Sequence, residues 1–259
     1  MKIYRDIPQG SAEWFRLRMG IPTASCFDQV MTPKTRKLSA SWKKYACKLV
    51  AERLTNIPAE SMFESEIMRA AKEQEPQAAA QYEFVNDVEL ATISFVTNDS
   101  GTIGCSPDRG VFDGDRLVRL VEIKVPKLET HLYYQHFLKD DEPYRTQTQG
   151  QLMLCTDAKS NELYSFYQGG PPVSFPTVRD EPYIDDLATA LDEFVGRVDD
   201  LHEATLRLGV WLPPETRVAT PLDRERGEQM DGPDDIARAI EEMGRRAEND
   251  QLRDACRSS

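Results

Sequence analysis

Glu122 and Lys124 lie in the apolar run Leu117 to Val125, and Asp108 follows Ser106-Pro107 a short distance upstream. On a strand, side chains alternate between faces, so Glu122 and Lys124 would point one way while Val121, Ile123 and Val125 point into the core. A carboxylate and an ammonium are thereby held side by side. Asp108 would arrive from the neighbouring hairpin arm, after a proline that favours extended geometry at Ser106. Two converging carboxylates suit Mg²⁺ or Mn²⁺, which prefer oxygen ligands and keep several waters. Such an ion would polarise a phosphoryl oxygen, help generate hydroxide and stabilise a leaving oxyanion, with Lys124 positioning or deprotonating the attacking water. Phosphodiester hydrolysis is the reaction that fits. Taken alone, however, Asp…Glu-x-Lys is a short pattern. A solvated Glu122–Lys124 pair and a turn aspartate account for it more economically.

The elements that must position these residues are legible from periodicity. Ser39 to Thr55 carries Trp42, Tyr45, Ala46, Leu49, Val50 and Leu54 at helical spacing, with Lys43, Lys44, Lys48 and Glu52 largely between them. A second helix is expected from Ile67 to about Tyr82, kinked or restarted at Pro76. Val88 to Val96, Thr102 to Cys105 and Leu117 to Val125 are short β-rich runs separated by Asn98-Asp99-Ser100-Gly101 and Asp113-Gly114-Asp115, the pattern of an antiparallel meander. A helix from Arg145 to Cys155 and a strand from Asn161 to Tyr167 follow. Ile184, Leu187, Leu191, Phe194, Val195, Val198 and Leu201 form a long apolar stripe running toward Leu208 and stopping at Gly209, which predicts a helix covering a sheet. Pro213-Pro214 and the mixed charges beyond predict that residues 1–212 form one catalytic domain and 213–259 a linker and charged helical tail.

Composition narrows the class. A chain of 259 residues can close a real core, and no stretch has the length and apolarity of a signal peptide or membrane span, so a soluble cytoplasmic protein is expected. Cys26, Cys47, Cys105, Cys155 and Cys256 are scattered, without the spacing of a zinc or iron–sulfur site, and read as reduced, mostly buried thiols. The net charge of -12 argues against nucleic acid at first sight. Exposed charges are screened beyond about 8 Å at physiological salt, however, and divalent cations would offset acidic residues, so a basic groove on an acidic body remains compatible.

The company the motif keeps changes its weight. Gln9-Gly10-Ser11 with Trp14, Arg18, Gly20 and Thr23-Ala24-Ser25; Glu73 to Pro76; Gly104 to Asp108 with Glu122 to Pro126; and Tyr144 with Gln147, Gln149 and Gln151 occur in this order. In these blocks the chain resembles the lambda exonuclease (YqaJ-like) family of phage recombination nucleases, within the PD-(D/E)-x-K superfamily. The resemblance implies an α/β (α+β) restriction-endonuclease-like core, a central mixed or antiparallel sheet flanked by helices. It implies Asp108, Glu122 and the Ile123 carbonyl as metal ligands and Lys124 as the catalytic lysine. Glu75 would be a helical carboxylate near a second metal, so that two Mg²⁺ ions, replaceable by Mn²⁺, serve each site. Gln149 would be the active-site glutamine, while Gln147 and Gln151 either share its role or lie on polar helix surface.

The resemblance further implies a 5′-phosphate pocket built on Arg18, Thr23 and Ser25. Arg18 can fork onto a phosphate, and Ser25 is placed to cap a helix from Cys26 to Met31. Sequence physics alone would make Ser25 a plain cap and Arg18 a surface ion-pair member. The family's further basic contact falls by position on Thr130, leaving Lys127 or His131 as substitutes. Met68 is either core or an apolar wedge between base pairs. A 5′-to-3′ exonuclease on duplex DNA ends is the implied activity. A homotrimeric ring, an annealing-protein partner and a phage or prophage origin in a bacterial host come with it. A restriction-type or Cas4-like nuclease, and a non-catalytic DNA-binding protein on the same fold, are the competing readings.

Overall fold

The computed structural model describes residues 1–59, 66–138 and 144–209. Along the chain run β1 (Lys2–Tyr4), α1 (Ala12–Arg18), a 3₁₀ helix (Ala24–Gln29), α2 (Trp42–Thr55), α3 (Glu66–Asn86), β2 (Ala91–Thr92), β3 (Phe95–Thr97) and β4 (Gly104–Cys105). Then come β5 (Arg109–Asp113), β6 (Arg116–Lys124), α4 (Leu128–Phe137), α5 (Arg145–Leu154), β7 (Ser160–Ser165), β8 (Val173–Val178) and α6 (Glu181–Arg207). No helix of the described residues is long and apolar enough to cross a membrane.

The strands form two sheets, β1-β3-β4 and β2-β5-β6-β7-β8. The larger is mixed: β5 and β6 are antiparallel around the expected Asp113-Gly114-Asp115 turn, whereas β6 and β7 are parallel in the register Lys124↔Ser165. A parallel pair needs a crossover, and α4 and α5 supply it. The alternation expected for Val121 to Lys124 holds, a register shift interrupts it between Leu117 and Arg119, and both faces of β6 are covered. Val121 and Ile123 pack with Ala78, Ala79 and Tyr82 of α3, whose small alanines let the helix lie close. Leu117 and Leu120 face the main core with Leu152 and Leu154 of α5 and Leu187 of α6.

Several expectations are corrected. The meander divides between the two sheets, since Val88 to Val96 contains β2 of one and the start of β3 of the other. The helix through Pro76 runs on to Asn86 without a restart. The long amphipathic helix, α6, has α2 and α5 as its main neighbours and forms a second helical layer rather than lying on a sheet. Asp180 caps it by accepting from the Tyr183 N–H at 3.2 Å, and it ends at Arg207, two residues before Gly209. Cys105 and Cys155 are buried thiols, but Cys26 is partly exposed and Cys47 exposed. Residues 213–259, Cys256 among them, and the Met68 side chain lie outside what is described.

Candidate active site

β6 delivers Glu122 into the interior with only 3% of its surface exposed. A buried carboxylate must be paired and hydrogen-bonded to be tolerated, and three side chains do this. Lys124 Nζ lies 2.7 Å and Gln147 Nε2 2.6 Å from Glu122 Oε1, and Gln151 Nε2 donates to Oε2 at 2.7 Å. Asn161 of β7 in turn donates to Gln151 Oε1, fixing that amide. Asp108, just before β5, accepts the Ile123 N–H on Oδ2 at 2.8 Å. Residue N–H and C=O groups on a strand point to the same side. Because β5 begins at Arg109 opposite Val121, Ile123 lies beyond the β5 ladder, and its carbonyl would point to the Asp108 side with its N–H.

Burial, and then the charge of Glu122, push the Asp108 carboxyl well above the usual carboxylate range, with Glu75 adding to the push; Lys124 and the Ile123 N–H oppose it. For Lys124, burial favours the neutral amine, but the Glu122 and Asp108 charges outweigh it and hold the ammonium protonated. Its Nζ also lies 5.0 Å from the centre of the Tyr144 ring, a cation–π contact, and Tyr144 and Tyr134 share a hydroxyl–hydroxyl hydrogen bond of 2.7 Å.

The glutamine expectation is corrected. Gln149 donates to the Val178 carbonyl at 2.8 Å and accepts from the Asp180 N–H at 3.0 Å, joining β8 to α6 on the far side of α5. Gln147 and Gln151, one helical turn apart, share the face that meets Glu122, as four-residue spacing dictates.

Glu75 does come near Asp108, but its Oε1 is taken by Arg109 Nη1 at 2.7 Å. Arg109 was not foreseen. A basic residue immediately after a candidate ligand, on a strand, was the available signal.

Arg18 Nη1 donates to the Ser106 hydroxyl at 3.0 Å and Nη2 to Thr23 Oγ1 at 3.5 Å, while its guanidinium stacks on Trp14 at 4.2 Å. Trp14 Nε1 bonds the Ser94 carbonyl at 2.9 Å and Ser106 Oγ at 3.2 Å. Thr23 and Ser25 hydroxyls are 3.5 Å apart. Ser25 is not a cap. Thr23 occupies that position without a side-chain bond, and Ser25 sits within the 3₁₀ helix, exposed. The loop is held from behind by Gly20, whose φ of +72° suits glycine and lets its N–H reach Glu52 Oε2 at 2.8 Å. A cleft lined by Phe15, Arg18, Thr23, Tyr45, Lys48 and Glu52 opens beside it.

Of the residues considered for a further phosphate contact, His131 is committed elsewhere. It is 2% exposed, with Nδ1 on Ser165 Oγ at 2.8 Å and Nε2 on the Pro171 carbonyl at 3.0 Å. Lys127 is exposed at the N-cap of α4, and Thr130 is half-buried.

Among the described residues no cluster of three or more His, Cys, Asp or Glu side chains forms a metal cage. Asp108 and Glu122 are close enough for their charges to interact, and with the Ile123 carbonyl they would offer an all-oxygen donor set. Burial together with the neighbouring negative charge, which raise the Asp108 carboxyl, would suit a hard divalent cation that keeps part of its water shell.

Residues 13–159 match the YqaJ-like viral recombinase domain. The chain belongs to this family. An alkaline exonuclease (LHK-Exo) from Laribacter hongkongensis is 26% identical, with a TM-score of 0.66 over 76% of this chain and 97% of that one. The structure of LHK-Exo in complex with dAMP gives 27% identity and a TM-score of 0.67 over the same shares. A phage-related exonuclease from Haemophilus somnus 129PT, at 16% identity and TM-score 0.57 over 74% of this chain and 99% of that one, shares the fold. No curated protein matches. The YqaJ-like match spans Arg18, Glu75, Asp108, Glu122, Lys124 and the α5 glutamines, whereas β8 and α6 lie beyond it.

Proposed function

We propose that the chain is an Mg²⁺-dependent exonuclease that digests one strand of duplex DNA 5′ to 3′ from 5′-phosphorylated ends, leaving 3′ single strands for annealing-type recombination. That it is an exodeoxyribonuclease of the lambda-exonuclease type follows from the family and from the alkaline exonucleases it resembles. Metal, direction and substrate end are the further reading. The observation that carries them is Ser106: its hydroxyl accepts from Arg18, and two residues later Asp108 faces Glu122 and Ile123. An anion held by Arg18, Thr23 and Ser25 would thus sit beside an oxygen-lined cation site.

When bound, the cation supplies Lewis acidity toward the scissile phosphate and lowers the pKa of a water. Lys124, released from compensating Glu122, would orient the attacking water or take its proton, and Gln147 would hold Glu122 in place. Partners follow from the same reading: duplex ends, two further copies of the chain in a ring, and a single-strand annealing protein.

Digestion of duplexes labelled at either end, bearing 5′-phosphate or 5′-hydroxyl, tests activity, polarity and the pocket together. Release from the 5′-phosphorylated end is expected. Efficient cutting of covalently closed circles would favour an endonuclease instead, and normal DNA binding without metal-dependent turnover a non-catalytic protein. Lys124→Ala should abolish cleavage and retain binding. Arg18→Ala should selectively erode the preference for 5′-phosphate over 5′-hydroxyl; an unchanged ratio would dissolve the pocket.

A further inference from the structure

A single nitrogen bridges the two halves of the acidic cluster. Arg109 Nη1 forms an ion pair with Glu75 Oε1 at 2.7 Å and donates a hydrogen bond to the Asp108 main-chain carbonyl at 2.6 Å, so the guanidinium sits between the helical carboxylate and the backbone of a proposed metal ligand. The arginine side chain is 16% exposed and that of Glu75 27%, so solvent does little to loosen the pair. Glu75 stands close enough to Asp108 for its charge to act on it. A second divalent ion drawing on Glu75 would have to expel a guanidinium from this place. Arginine cannot escape by losing its proton, and its planar fork stays a full positive charge at any working pH.

We propose that Arg109 stands where a second divalent cation would, so that the site takes one ion per chain, held by Asp108, Glu122 and the Ile123 carbonyl. The inference rests on the metal-dependent reading above and narrows it: Glu75 is a partner of Arg109, not a ligand. Arg109 becomes a positioning residue that supplies fixed positive charge on the Glu75 side and ties that charge to the Asp108 backbone.

Mn²⁺ binding to the full-length protein without DNA, followed by loss of the free ion's electron paramagnetic resonance signal, tests this without reference to activity. Wild type should bind one ion per chain, and Asp108→Asn should lose it. Arg109→Gln, which frees Glu75, should raise the count to two. The added ion should vanish in the Arg109→Gln, Glu75→Gln double variant, and Arg109→Lys should keep one. Two ions on wild type would overturn the inference while leaving the metal-dependent reading intact, as would a folded Arg109→Gln variant that still binds one. No saturable ion on wild type would sink both. Should Arg109→Gln fail to fold, Glu75→Gln alone decides: unchanged affinity for the single ion supports the inference, and loss of binding overturns it.

Discussion

Both oxygens of Glu122 are engaged, by Lys124 and Gln147 on one and Gln151 on the other, and the last amide is fixed by Asn161. Removing one member of a buried polar network leaves its partners unsatisfied, at a cost of about 1–3 kcal/mol. Gln151→Leu should therefore lower the melting temperature and weaken divalent-ion affinity together. Gln149→Leu should lower stability alone, because that side chain serves β8 and α6; calorimetric ion titration of both variants separates the roles. Asp108→Asn is expected to do the opposite to the metal-free fold. The folded-state pKa of Asp108 lies above its unfolded value of about 3.9. Its ionisation therefore costs stability that is absent below about pH 4, grows as pH rises, and is complete only above the folded pKa. The melting-temperature gain of Asp108→Asn in chelator should increase with pH from that point; a gain independent of pH would contradict it. Residue types were legible here, but orientation was not. Gln147, Gln149 and Gln151 look alike in sequence, and only the phase of α5 against β6 selects the two that reach Glu122.

At the scale of elements, Tyr45 links the helical layer to the proposed phosphate loop. Its ring stacks on Phe194 of α6 with centroids 5.4 Å apart, and its hydroxyl accepts the Thr23 N–H at 3.1 Å. Tyr45→Phe keeps the ring and loses one hydrogen bond, so stability should fall by about 0.5–1.5 kcal/mol while discrimination between 5′-phosphate and 5′-hydroxyl ends declines. Phe194→Ala should cost about 3–5 kcal/mol in chemical denaturation, because that α6 ring is fully buried and stacks on Tyr45 of α2. Long amphipathic patterns were readable: α2, α5 and α6 lie close to where their periodicity places them. Short strands were not, since β2 and β4 are two residues each and carry too little pattern to name a sheet. Nor could the parallel β6–β7 pairing be seen, because α4, with Leu128, Leu132, Tyr133 and Phe137 exposed, lacks the clean stripe that announces a crossover helix.

For the whole molecule, a net charge of -12 and an expected affinity for DNA are reconciled only if positive charge is local. Binding to duplex ends should therefore weaken with salt with a slope of only a few phosphate equivalents at roughly 0.9 per contact. A slope as steep as that of a broad basic surface would argue for another DNA path. Sedimentation should give a mass of three chains if the ring forms. The join between the two sheets has one more consequence. Ser106 and Asp108 sit on the same short link from β4 to β5, about 7 Å apart along an extended backbone, with a proline between them. If Arg18 and Ser106 hold the strand end and Asp108 a metal, the distance from end recognition to bond cleavage would be set by covalent structure rather than by moving domains. Under the proposed reading this link acts as a ruler one nucleotide long, and the released product should be uniformly mononucleotide from the first turnover to the last.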